Sequence, residues 1–346
     1  MSVDDFLSND EGSVRGKRPR KRLRDRWLLL SVVGLLLVVL VGAAALATYY
    51  GKATLDALDS VKREPSLAPS PGASRPAPVV VPPSKEGEVS NPPINFVLMG
   101  SDTRGGERGR SDVLQILHVP GDRSGSYLMS IPRDTWVDIP GRGKAKVNAA
   151  YSYGGAGLTI QTLEQLLDVP MDHTVIIDFQ GFIRVIDALG GVTVENKYPS
   201  SSQGYDFPAG EVELTGESAL VFVRERYNLP NGDFGRAERQ RDVVTAVVKK
   251  IASADTLTDP NKFREVVTTL GPNFTVDEAL TNQAIIDLGM GMGLNAKNVR
   301  SFQFPVTGTA TSNDGQSIVL MDEEKVARLK EALRADDMAA YYETNR

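Results

Sequence analysis

The sequence predicts an α/β domain carried outside a membrane by a single N-terminal transmembrane helix. Two observations carry this expectation. A basic tail is followed by 24 residues without a charge. From residue 94 onward, short apolar runs bounded by Gly, Pro or charged residues alternate with segments of helical periodicity, the pattern of an α/β domain. Among the 346 residues there is no cysteine, and the only histidines are His118 and His173. Disulfides, thiolate metal sites and histidine-based triads are therefore not expected.

The uncharged run, WLLLSVVGLLLVVLVGAAALATYY over 27–50, can cross a hydrocarbon core about 30 Å thick at about 1.5 Å per residue. Trp27 at one end and Tyr49 and Tyr50 at the other suit the two interfaces. Residues 15–26 hold eight basic side chains, whereas 51–61 hold only Lys52, so the tail 1–26 is expected in the cytoplasm and the rest outside. A cleaved signal peptide is the competing reading, because ALA at 45–47 resembles a cleavage site; the length of the run favours a retained anchor. Beside such a run the basic tail is a topology signal, and nucleic acid is not an expected partner. Without residues 1–26 the chain has 31 basic against 39 acidic side chains, a net charge of −8. A general polyanion-binding surface is not expected on such a domain, so any phosphate site must come from a few local arginines.

Residues 51–93 read as an extracytoplasmic linker, dense in Pro, Ser and Ala from about 65 onward, which suggests a semi-rigid extended tether. The domain is expected over 94–340. INFVLMG, DVLQILHV and SYLMSIP suit strands, LTIQTLEQLL (158–167) a helix and VIIDF (175–179) a buried strand. FIRVIDAL reads as a helix, GVTVEN as a strand and RQRDVVTAVVKKIASA (239–254) as an amphipathic helix. The part from 254 to 340 adds helices, a strand pair formed by SFQFPV and SIVL, and the helix DEEKVARLKEALRA.

Three clusters carry candidate chemistry. In GSDTRGGERGRSD (100–112), Asp102 follows the first strand and Asp112 opens the second. If these strands run antiparallel, both carboxylates reach one sheet edge and suit Mg²⁺ alongside substrate phosphates; a polar loop with Asp as turn former fits as well. In SIPRDTWVDIP (130–140), Arg133 and Asp134 follow the third strand, which a meander returns to that same edge; a surface ion pair is the plain alternative. Lys146 beside Asn148 is a candidate second phosphate ligand. VRERYNLPNGDFGRAERQRD (223–242) holds Arg224, Arg226, Arg236, Arg239 and Arg241 and no lysine. Arg224 and Arg226 share a face if the segment is extended, and Arg236, Arg239 and Gln240 fall at the start of a helix. Guanidinium forks and a helix N-terminus suit phosphate, while a solvated helix paired with Glu225, Asp233 and Glu238 is the alternative.

The ordered series NFVLMGSD, GRSD, SIPRD, KVNAAYSYGG, FQGFIRVIDALGGV, LTGESALVFVRER and GDFGRAERQ resembles the motif set of the LytR-CpsA-Psr family, strongly over about 95–250 and more weakly beyond. The resemblance implies a central, mainly antiparallel or mixed sheet flanked by helices, with a hydrophobic groove for a polyprenyl tail. It implies Asp102 and Asp112 as ligands of Mg²⁺, with Mn²⁺ as the alternative. It implies that Arg110, Arg133, Lys146, Arg224, Arg226, Arg236 and Gln240 surround a lipid pyrophosphate, and Arg239 is expected as a further pyrophosphate-binding residue. Asp233 is implied as a carboxylate orienting these arginines, and Asp134 and Asp233 are the candidate bases. The implied reaction takes a polyprenyl-pyrophosphate-linked glycan of teichoic acid, capsule or arabinogalactan type as donor. A peptidoglycan hydroxyl is the acceptor, a phosphodiester is the product, and polyprenyl phosphate is released. A lipid-pyrophosphate hydrolase would use the same residues, and a lipid-binding sensor or scaffold is the non-enzymatic alternative.

Overall fold

The computed structural model describes residues 50–69, 74–81, 91–101 and 111–345. The expected cytoplasmic tail and, apart from Tyr50, the expected transmembrane run lie outside them. Among the described residues, no helix is long and apolar enough to cross a membrane.

A helix over 50–59 (α1) and the short strand Lys62–Arg63 (β1) come first. Ile94–Ser101 (β2), Ser111–Val119 (β3) and Ser126–Ser130 (β4) then form an antiparallel meander. The hairpin Trp136–Ile139 (β5) and Gly143–Lys146 (β6) leads into the helix Ala149–Leu167 (α2). His173–Asp178 (β7) feeds directly into Phe179–Ala188 (α3), whose first turn is capped by the Asp178 side chain accepting from the Gly181 N–H. Val192–Asn196 (β8), Ser200–Ser202 (β9), Tyr205–Phe207 (β10) and Gly210–Leu214 (β11) form two small hairpin sheets. The helices Gly216–Arg224 (α4) and Asp233–Ile251 (α5) follow.

The C-terminal part supplies Ala254–Thr258 (α6), Pro260–Asn273 (α7), Phe274–Val276 (β12), Asn282–Met292 (α8) and Val299–Gln303 (β13). It closes with Val306–Thr311 (β14), Ser317–Met321 (β15), Glu323–Ala335 (α9) and Met338–Asn345 (α10).

Seven strands make one mixed sheet in the order β1-β12-β7-β2-β3-β4-β13. Because strand side chains alternate, the sheet has two apolar faces. Val97, Met99, Leu114 and Ile116 pack with Ile160 and Leu163 of α2 and Leu329 of α9. Leu98, Val113, Leu117, Val175 and Ile177 point the other way, toward α3, α4 and α5. The fold is thus an α/β sandwich of helices around a mixed sheet. β2 and β7 end at one edge, where β3 begins: Ser101 pairs with Ser111 and Asp178. β4 ends at Ser130, opposite Gln115, and the chain after it continues toward the same edge, the Ile131 N–H donating to the Leu114 carbonyl. That shared edge is where the site forms.

Two expectations need correction. SFQFPV and SIVL do not pair: the first supplies β13, which joins the main sheet parallel to β4, and the second supplies β15, which pairs with β14. Pro305 has no N–H to continue a ladder, so the chain changes sheet there. The segment expected as a semi-rigid extended tether also packs on the domain in its described parts. β1 pairs with β12, Leu67 and Val79 are buried in the main core, and Arg75 Nη2 lies 2.6 Å from Glu164 Oε1. Composition registers the prolines; it does not register the apolar side chains between them that find a surface to cover.

Candidate active site

Arg133 and Asp134 sit in the turn that leaves β4. The turn is closed by Thr135, whose N–H donates to the Pro132 carbonyl at 2.9 Å. Two remote backbone N–H groups clamp it, Asn148 donating to the Arg133 carbonyl at 3.2 Å and Val319 to the Asp134 carbonyl at 2.9 Å. The C-terminal hairpin therefore helps to fix Asp134. From this turn a chain of charges extends. Asp134 lies 3.2 Å from Lys146 Nζ and 3.8 Å from Arg133 Nε. Asp233, at the start of α5, lies 3.5 Å from Arg133 Nε, 3.3 Å from Arg236 Nη2 and 3.9 Å from Arg226 Nη1. Four cations thus share two carboxylates. Half-exposed pairs of this kind contribute at most about 1 kcal/mol each, so stability does not account for gathering like charges here. The arrangement offers a place for an anion with two or more charges.

α5 adds to this field. Gly232 at its N-cap has φ 52° and ψ −120°, a conformation that suits glycine, and no side chain caps the helix. Its first N–H groups and the positive end of its dipole therefore face the same region. Asp233, Arg236 and Gln240 recur on one face of the helix, and Gln240 Nε2 donates to the Val223 carbonyl at 3.2 Å.

Arg224 and Arg226 are not two residues of one extended strand, because α4 continues through Arg224. The apolar face of 219–223 favours the helix, which starts at a reciprocal Thr215–Ser218 capping box. Arg224 is exposed, and its guanidinium lies over the Phe179 ring at 4.7 Å. Arg226 follows a break held by buried Glu225. One oxygen of that carboxylate accepts from the N–H groups of Arg226, Tyr227 and Asn228 at 2.8, 2.8 and 3.1 Å. Burial alone raises the Glu225 pKa, but the Ser202 hydroxyl and these N–H donors outweigh it and hold it below the usual carboxylate range. Sequence reasoning cast Glu225 as a counter-ion; its carboxylate shapes the loop.

Arg239 is not brought to the cluster. It is buried, and its Nη2 donates to Asn196 Oδ1 at 3.0 Å, the Tyr198 carbonyl at 2.7 Å and Ser200 Oγ at 2.9 Å. The Phe222 ring lies 4.1 Å from its guanidinium carbon. Burial pulls its pKa down to about 10, opposed by Glu225 and Asp242. Arg241 is likewise buried and donates to the Ser130 hydroxyl, bracing α5 against the end of β4. Asp102 and Arg110 lie outside the described residues. Asp112 belongs to β3, whose register brings its backbone to the edge beside Ser101.

Beyond the cluster, the same face of α5 continues into a cavity of ≈ 300 Å³ between the sheet and α3, α4 and α5. Gln240, Val244, Val247, Val248 and Ile251 line it along α5, with Phe179 and Phe182 from α3. Its size lies at the lower end of ligand pockets, and its wall is almost wholly apolar. Sequence reasoning did not separate these residues from ordinary core, because both have the same helical spacing. Phe179 carried no signal beyond its place at a strand end.

The sequence profile of the LytR_cpsA_psr family matches residues 69–335. The chain belongs to that family. It is 36% identical over 247 residues to "Polyisoprenyl-teichoic acid--peptidoglycan teichoic acid transferase TagU" of Enterococcus faecalis, covering 70% of this chain and 79% of that protein. It is 38% identical over 246 residues to the protein of the same name from Halalkalibacterium halodurans, covering 70% and 79%. Among solved structures of the family, TagV of B. subtilis matches with a TM-score of 0.62 at 27% identity, over 72% of this chain and 99% of that one. TagT bound to LI-WTA matches with a TM-score of 0.57 at 27% identity, over 75% and 96%.

Proposed function

We propose that this chain transfers a glycan phosphate from a polyprenyl-pyrophosphate carrier to peptidoglycan. The observation that carries the reading is the continuity of α5, whose N-terminal turn contributes Asp233 and Arg236 to the charged cluster and whose next turns line the apolar cavity. A pyrophosphate with a long hydrocarbon tail matches that order of surfaces. The named activities of the teichoic acid transferase relatives agree with it.

In this reading the carrier's tail occupies the cavity. Arg133, Arg226 and Arg236, with Lys146 and Arg224 at the rim, neutralise the pyrophosphate. Asp134 and Asp233 hold these side chains in register. The acceptor hydroxyl oxygen attacks the sugar-side phosphorus, the bond from that phosphorus to the bridging oxygen breaks, and polyprenyl phosphate leaves with the electron pair. The hydroxyl proton passes to a nearby carboxylate, Asp134 or Asp233. Such a displacement depends on positioning and charge neutralisation more than on covalent help from the protein.

Asp102 and Asp112 would hold Mg²⁺, which supplies further charge neutralisation when bound. The β2–β3 register, which brings Ser101 and the start of β3 at 111–112 to one edge, and the hard carboxylate donors support this assignment. Residues 27–50 would anchor the chain in the cell membrane as a single span, with the N-terminus cytoplasmic and the catalytic domain outside; the asymmetry of flanking charge supports it.

The test is product analysis by mass spectrometry. The full chain in detergent is given a short polyprenyl-pyrophosphate glycan and a peptidoglycan oligomer, with and without Mg²⁺. The reading predicts a glycan-phosphate adduct on the oligomer that disappears without the metal. Free glycan phosphate in the presence of acceptor would show a hydrolase instead. Binding without turnover by the folded chain would show a lipid-binding regulator.

A further inference from the structure

Three polar side chains line the cavity: Asp178 accepts from the Gly181 N–H and Gln240 donates to the Val223 carbonyl, whereas Gln115 is not explained in this way. Gln115 lies on the cavity-facing side of β3, in register with Leu98 of β2, which in turn pairs with Val175 of β7. It is 1% exposed, and neither its amide nitrogen nor its amide oxygen has a hydrogen-bond partner. Val113 and Leu117, its neighbours on the same face of the strand, are both aliphatic. A leucine or methionine would fill this position without leaving a polar group unsatisfied, so the amide is a cost to the ligand-free fold. Polar neighbours are committed elsewhere: Ser130, paired with Gln115 across the strands, accepts from Arg241, and Gln240 donates to the Val223 carbonyl.

The position along the strand gives the residue a job. Gln115 stands three residues in from Asp112, about 10 Å along β3 from the sheet edge where the cluster lies. A chain whose pyrophosphate rests at the cluster would pass Gln115 within its first isoprene units. A hydrocarbon offers an amide N–H only one kind of acceptor, the π electrons of a double bond, and a saturated chain does not have it. We infer that Gln115 is a specificity-determining residue that reads unsaturation in the early isoprene units of the carrier. This rests on the reading that the cavity takes a polyprenyl chain.

The test compares geranylgeranyl pyrophosphate with its fully saturated counterpart, phytanyl pyrophosphate, titrated against the full chain in detergent. Wild type, Gln115→Met and Gln115→Leu are compared through the ratio of the two affinities, which cancels the intrinsic difference in hydrophobicity between the chains. The ratio should shift toward the saturated chain by about two- to five-fold in both variants. The Tm of the ligand-free variants should be equal to or above that of wild type. An unchanged ratio would overturn the inference, as would a lowered Tm in both variants, which would show that the amide serves the fold. If folded wild type binds neither chain, the polyprenyl reading falls, and this inference falls with it.

Discussion

Arg133 leaves the end of β4 and Asp233 opens α5, and their side chains meet with Nε and Oδ2 3.5 Å apart. Through this contact the sheet edge and the arginine-rich helix become one surface, because Asp233 also reaches Arg236 at 3.3 Å and Arg226 at 3.9 Å. Asp233→Asn keeps the shape and removes the charge that holds three arginines together. It should lower kcat by about 10²-fold, the scale on which misplaced electrostatic groups act. KM for the lipid donor should stay level or fall, since the site becomes more positive. A rise in KM with kcat intact would show that Asp233 serves binding and not orientation.

Arg224 tests whether the rim arginine acts through its planar shape. It is exposed and lies over Phe179. Arg224→Lys preserves charge but neither the stacking nor a two-pronged phosphate contact. Turnover should fall about ten-fold or more while Tm is unchanged. Wild-type turnover in this variant would reduce Arg224 to a simple positive charge.

The cavity yields a prediction that depends on chain length. Val247 and Val248 line it well along α5 from the cluster. Val247→Trp should occupy the inner part and weaken long-chain donors by about ten-fold or more, an effect equivalent to the burial of a few methylene groups. A donor with a single isoprene unit should be affected much less. Equal losses for both donors would show that the tail lies elsewhere.

Arg239 belongs to the fold. Arg239→Ala would leave Asn196 Oδ1, the Tyr198 carbonyl and Ser200 without their shared donor, and should cost at least about 2 kcal/mol in denaturant unfolding. Arg224→Ala should cost almost nothing in the same experiment. The reverse ranking would place Arg239 in the site.

Asp242 sets a pH dependence. Burial, reinforced by the negative charge of Glu238, raises its pKa from 3.8 to about 6. The folded chain therefore binds this proton more tightly than the unfolded chain. The contribution is fully favourable below about pH 4 and is lost as pH rises through about 6. Asp242→Asn should therefore gain Tm relative to wild type as pH climbs from 4 to 7, with little difference at pH 4. A difference that does not vary with pH would contradict this.

The helices and the meander were legible because their signals are local. Apolar residues at helical spacing mark α2 and α5, and Gly- and Pro-bounded runs mark β2, β3 and β4. The order of motifs carried the family. What was not legible depends on distant partners. Arg236 and Arg239 sit one turn apart, yet one meets Asp233 and the other is absorbed by Asn196, Tyr198 and Ser200. Helix periodicity alone does not say which neighbour each will find. Val244 and Val247 face a cavity through the same spacing that puts Val243 in solid core. The clamp of Val319 on Asp134 joins segments far apart in sequence, and no local signal announces it.

The most direct test of the central claim, that one site holds the carrier's pyrophosphate and its tail, is photolabelling. The full chain in detergent is mixed with a polyprenyl pyrophosphate carrying a diazirine in its third isoprene unit, irradiated, digested and mapped by mass spectrometry. Labels should fall on α5 between Val244 and Ile251 or on Phe274, and Arg133→Ala combined with Arg236→Ala should abolish them. Labels concentrated on other elements, or labelling of the cavity that survives loss of both arginines, would contradict the account.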